Sequence, residues 1–135
     1  MKKNISRDFT WEEMTYSCIA IVNGLRNDPP EEARCAICEL VKCLLQPLRI
    51  AFNKPIAITS GYRSPEVNRL AGGVRSSQHV KGEAADCYAP DIYLLLETLK
   101  KSGLPFDQAI LYRKKHFLHL SYRTNGKQRY QILYR

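Results

Sequence analysis

The hydrophobic period of this chain is helical near its N-terminus and strand-like in its last third, and that shift confines the fold. Ala33, Ile37, Leu40, Val41, Leu44 and Leu48 recur at three- and four-residue steps, the stripe of an amphipathic helix. Towards the C-terminus strand patterns replace it, near Asp107–Tyr112, at His116–Tyr122 and at Arg129–Tyr134, with Asn125-Gly126 as a turn before the last. The 135 residues contain no repeat, linker or low-complexity run. Helices first and strands later predict one α+β domain over residues 1–135, with N-terminal helices packed on a central antiparallel sheet.

Local signals refine this outline. Thr10-Trp11-Glu12-Glu13 reads as a capping box with Phe9 and Met14 as a hydrophobic staple. It opens a helix to about Gly24 that buries Met14, Cys18, Ile21, Val22 and Leu25. Asp28-Pro29-Pro30-Glu31 starts the second helix, with Asp28 as cap and Pro29 at the first helical position, and Pro47 is expected to kink it or end its regular part. Pro55–Thr59 predicts a short buried strand, and Ser64-Pro65-Glu66 a short helix ending at Gly72-Gly73. A polar loop over 74–82 follows, then a strand over Ala84–Tyr88. Asp91 caps a further helix that Gly103 ends.

Composition narrows the partners. The formal charge is +8, and no Asp or Glu occurs from Gln108 onward, where Arg113, Lys114, Lys115, Arg123, Lys127, Arg129 and Arg135 lie. Such asymmetry favours an anionic partner without choosing among nucleic acid, membrane surface and cell-wall polymer. No apolar run is long enough for a membrane span. Residues 1–10 lack the apolar core of a signal peptide, so no export signal is expected in this chain. Five cysteines, an odd number, argue against a closed disulfide framework, and Cys18, Cys35, Cys38, Cys43 and Cys87 are expected to be buried, inert thiols.

The chemistry concentrates in Ser77-Gln78-His79-Val80-Lys81-Gly82-Glu83-Ala84-Ala85-Asp86 together with a later histidine. Two imidazoles and one carboxylate are the ligand types that hold a catalytic Zn²⁺ and leave a fourth position for water. If they converge, the chain is a metal-dependent hydrolase. The later histidine is His116 or His119. Three apart on a strand, they point to opposite faces, and the pattern does not choose between them.

Ordered segments along nearly the whole chain resemble the M15 peptidases. These are Phe9–Glu13, Leu45-Gln46-Pro47-Leu48-Arg49, Ile58–Ser64, the SxHxxGxAxD set Ser77, His79, Gly82, Ala84 and Asp86, Phe106-Asp107-Gln108 and Phe117–Ser121. The resemblance is to the small single-domain branch found in bacteria and phages. It implies the fold shared by the hedgehog signalling domain and the D-Ala-D-Ala peptidases, and a zinc peptidase acting on peptidoglycan peptides as a D,D- or L,D-carboxypeptidase or endopeptidase. It also implies His79, Asp86 and His119 as zinc ligands, Arg63 holding substrate oxygens and the developing charge, and Ser77 near the substrate. Synthesis in the cytoplasm and action in the periplasm or cell wall are expected.

One departure stands out. The resemblance implies an acidic general base on the strand leading to the last histidine, but that region reads Ala109-Ile110-Leu111-Tyr112-Arg113, position 116 is His, and no carboxylate follows Asp107. Tyr112 and His116 are the local substitutes, and Glu83 and Asp107 the outer candidates. The missing base motivates a second reading, a zinc-containing module of the same fold that binds cell-wall peptide with little catalysis. A third, a basic nucleic-acid-binding domain, requires salt-dependent binding and no zinc. No nucleic-acid motif is present, and no such partner is expected.

Overall fold

The computed structural model of the chain describes residues 3–135. Thr10 starts the first helix as its side chain predicts. Its Oγ1 accepts the Glu13 N–H at 3.2 Å, Glu13 Oε1 accepts the Thr10 N–H at 3.1 Å, and Phe9 and Met14 are both fully buried. The helix does not reach Gly24. It splits into α1 (Trp11–Thr15) and α2 (Cys18–Val22), with Tyr16 extended between them. Two contacts hold the break open: the Met14 carbonyl accepts the Tyr62 N–H at 2.8 Å, and the Thr15 carbonyl accepts Asn27 Nδ2–H at 2.9 Å. Ser17 then caps α2 through the Ala20 N–H. The bend re-aims the expected apolar face, so Ile21 and Val22 are exposed and only Met14 of the anticipated set is buried.

The second helix, α3 (Glu31–Leu40), begins two residues later than its proline signal predicts. Pro30 occupies the cap, and Asp28 instead pairs with Arg26 in solvent. Pro47 neither ends nor breaks the structure. A π-helical segment, Val41–Leu45, precedes it, and α4 (Gln46–Phe52) continues beyond. The Gln46 N–H reaches back five residues to the Val41 carbonyl, and this wider turn accommodates a residue that cannot donate its own bond. The predicted stripe is buried throughout: Ala33, Ile37, Leu40, Val41, Leu44 and Leu48. Burying each large side chain of this kind contributes about 1.5–3 kcal/mol.

The remaining elements are β1 (Ala57–Ser60), α5 (Pro65–Leu70), α6 (Gln78–Lys81), β2 (Ala84–Tyr88), α7 (Ile92–Ser102), β3 (Gln108–Tyr112), β4 (Phe117–Ser121) and β5 (Gln131–Tyr134). The sheet order is β1-β2-β4-β3-β5. β1 is an edge strand and half exposed rather than buried. All neighbours are antiparallel except β3 and β5, which pair in parallel with Ile110 opposite Leu133. The departure from an all-antiparallel sheet has a simple cause. β4 already has β2 on one edge and β3 on the other, so β5 cannot form a hairpin with it and pairs beyond β3.

Alternation gives the sheet two unlike faces. Ala85, Cys87, Ala109, Leu111, Leu118 and Leu120 join the core with α3, α4 and α7. Asp86 and His119 belong to the opposite face. The cysteine expectation holds only for Cys87. Cys18 and Cys35 are exposed, Cys38 and Cys43 partly so, and all five are free. Cys35 and Cys38 fall off the buried stripe of α3, which the helical period itself requires.

Candidate metal centre

β2 and β4 run antiparallel with Asp86 directly opposite His119, so the pleat sends both side chains to the same side. His79 comes from a different kind of element. The polar loop expected over 74–82 contains α6, one helical turn capped where Ser77 Oγ accepts the His79 N–H at 3.2 Å. Gly82 ends that turn with φ 78°, and a Cβ there would press on the Ala33 carbonyl of α3. Only glycine meets both demands without strain.

These three side chains converge. His79 Nε2 lies 3.4 Å from Asp86 Oδ1, and His119 Nδ1 lies 2.8 Å from the same oxygen. One ligand atom from each residue lies within 4.8 Å of the others. Bonds of 2.0–2.1 Å around tetrahedral zinc place ligand atoms about 3.3 Å apart, so the observed separations and the donor set both suit Zn²⁺. His79 Nδ1 is 2.7 Å from the Gly61 carbonyl. A carbonyl only accepts, so Nδ1 carries the proton and the neutral ring keeps its lone pair on Nε2, facing the cluster.

Asp86 is held as an anion. Burial alone would raise its pKa, but the hydrogen bond from His119 and the close approach of the His79 ring outweigh burial and hold it well below the ordinary carboxylate value. Its other oxygen lies 3.6 Å from Arg63 Nη2. Arg63 is itself fixed on several sides. Its Nε donates to Ser60 Oγ at 3.2 Å, its Nη1 to Asn68 Oδ1 at 3.4 Å, and its backbone N–H to the His79 carbonyl at 3.1 Å.

Two positioning residues escape the sequence reading. Asn27 donates to both the Thr15 and Tyr62 carbonyls and accepts the Ser64 N–H at 2.7 Å, clamping the loop that carries Arg63. Asn68 is buried, donates to the Val74 carbonyl at 2.8 Å and faces Arg63. Neither carries a local motif, because each acts on residues made adjacent only by folding.

The remaining candidates divide. Ser77 caps α6 and also lines a cavity of about 390 Å³ that includes Glu83 and His119. Glu83 accepts from Gln78 Nε2 at 3.2 Å and from the Thr124 N–H at 3.1 Å. Asp107 is fully buried beneath Arg123 and Arg129. Tyr112 stacks on Phe117 with ring centroids 4.4 Å apart, two cross-strand pairs beyond the Ile110–His119 pair. His116 is not in the predicted strand. It sits in the turn before β4 with φ 58°, its Nε2 3.2 Å from the Pro90 carbonyl. The opposite-face argument for His116 and His119 therefore does not apply.

A sequence model of the family described as Peptidase M15 matches residues 7–121. No curated protein gives a significant match.

Proposed function

The chain belongs to the M15 peptidase family, and from that premise we propose that it is a zinc metallopeptidase hydrolysing peptide bonds of peptidoglycan stem peptides or cross-links, next to a D-amino acid. The observation that carries the reading is the convergence of His79, Asp86 and His119, with the Arg63 guanidinium beside them.

When bound, zinc would supply Lewis-acid polarisation of the scissile carbonyl and would make attacking water more acidic. The other tasks fall to the chain. Arg63, with Nε and Nη1 hydrogen-bonded and its position set by Asn68 and Asp86, offers positive charge where the carbonyl oxygen becomes negative. The proton of the attacking water needs an acceptor. Glu83 is the half-buried carboxylate that shares the cavity with His119, and it takes this role in our reading. Gln78 and the Thr124 amide orient it. Ser77 borders the same cavity as a peptide-contact residue.

The test is incubation of zinc-loaded protein with purified muropeptides, with products identified by mass spectrometry. Cleavage next to a D-residue that disappears in His119→Ala is the expected result. Peptide binding without cleavage at saturating zinc would replace the peptidase by the binding-module reading.

A further inference from the structure

Asp107 is not part of the His79–Asp86–His119 cluster, but it contacts three residues, Gln78, Arg123 and Arg129, that line the same cavity as His119. Its side chain is fully buried, and Arg129 grips it with Nη2 at 2.7 Å and Nε at 3.1 and 3.2 Å from the two oxygens. The Arg129 backbone N–H donates to Oδ1 at 2.9 Å, and Arg123 Nε and Gln78 Nε2 approach Oδ2 at 3.3 and 3.2 Å. One buried carboxylate thus fixes two guanidiniums whose side chains remain 40% and 43% exposed. Both line the cavity of about 390 Å³ that contains His119, and Lys81 lines it too. Against these three cations the lining has one carboxylate, Glu83, which is already engaged by Gln78 and the Thr124 amide. Counting Asp107 beneath the wall, the region keeps a net positive charge.

We propose that Arg123, Arg129 and Lys81 form a subsite for a free carboxylate of the substrate, with Asp107 as the residue that positions the two arginines. Guanidinium N–H groups match a carboxylate in geometry, and holding them in place before binding removes part of the ordering cost. An anionic group seated there lies next to His119, so the subsite selects peptides carrying a carboxylate near the bond to be cut. This rests on the peptidase reading above and specifies what its substrate must carry.

The test uses the zinc-loaded protein and three synthetic stem pentapeptides. One has both its C-terminal carboxylate and its glutamyl α-carboxylate free. Each of the others has one of these as the amide. Hydrolysis and equilibrium binding are measured for the wild type, Arg123→Gln and Lys81→Gln, leaving the Arg129 contacts to Asp107 intact. Loss of a charge-assisted contact is expected to lower kcat/KM for one amidated peptide by about tenfold or more in the wild type. That preference should fall towards one in both variants, and the peptide that shows it identifies the carboxylate.

Hydrolysis of all three peptides at equal rates would overturn the subsite and leave the peptidase standing. A preference undiminished in both variants would overturn the assignment to these residues. Acid-selective binding without hydrolysis would support the subsite and remove the peptidase. Neither binding nor hydrolysis of any peptide would overturn both.

Discussion

Asp86 and His119 face each other across β2 and β4 at a directly paired position, with Oδ1 and Nδ1 2.8 Å apart. The contact is set by strand register. A one-residue slip of β4 would turn His119 into the core and leave Asp86 opposite Leu118 or Leu120. The candidate metal centre and the sheet register therefore stand or fall together.

Metal binding should follow the cluster residues. Elemental analysis of purified, zinc-equilibrated protein is expected to give one zinc per chain in the wild type and in His116→Ala, and none in His119→Ala. Zinc retained by His119→Ala would remove that residue from the ligand set.

Arg63→Ala should separate catalysis from metal binding. The guanidinium touches Asp86 at 3.6 Å but is not among the cluster's ligand atoms. Zinc content is expected to hold while kcat falls by about 10²–10³, the scale of a lost oxyanion donor. A change confined to KM would instead mark Arg63 as a binding residue.

Glu83→Gln should lower kcat by about 10²–10⁴ with zinc content unchanged, the range expected for loss of a general base. The amide oxygen can still accept one of the two hydrogen bonds, from Gln78 at Oε1 or from the Thr124 N–H at Oε2, so the side chain keeps one of its two anchors. Tyr112→Phe and His116→Ala, assayed alongside, are each expected to change kcat less than about tenfold. A larger loss in either would move the proton acceptor to that residue.

Asp107 makes stability depend on pH in a definite direction. Burial would raise its pKa, but hydrogen bonds and charge from Arg129, with added charge from Arg123, outweigh burial and hold it below the ordinary value of 3.8. A depressed folded-state pKa stabilises the fold fully above the unfolded value, from about pH 5, and that contribution is lost as pH falls through the folded value. Asp107→Asn should cost about 3 kcal/mol at pH 7, the low end for a broken buried pair because the guanidiniums keep some water. Denaturation curves of the two proteins should draw together as pH falls below 3.8 and through the folded-state value. A difference constant from pH 7 to 3 would show that the ionised form contributes nothing.

Gly82→Ala should destabilise through two effects at one position. The residue sits at φ 78°, and a Cβ would meet the Ala33 carbonyl. A loss of about 1–3 kcal/mol in thermal or denaturant unfolding is expected, with weaker zinc affinity because Gly82 closes the turn that presents His79.

Much of this architecture was legible in local pattern. The capping box at Thr10, the α3 stripe, the Ser64 and Asp91 caps and the β2 strand all depend on residues a few positions apart, where spacing and side-chain chemistry suffice. His79 and Asp86 were readable for the same reason, and the resemblance to M15 peptidases chose His119 over His116. What the tertiary structure decided depends on contacts between distant segments. The break between α1 and α2 is held by Tyr62 and Asn27, remote from it in sequence. β5 lies parallel to β3 because both edges of β4 are taken. Arg123 and Arg129 read as part of a basic tail until the buried Asp107 draws them to the cavity wall beside His119. Sequence period records which face of an element is apolar. It does not record which distant donor meets a given carbonyl or carboxylate, and those long-range pairings set the geometry of this site.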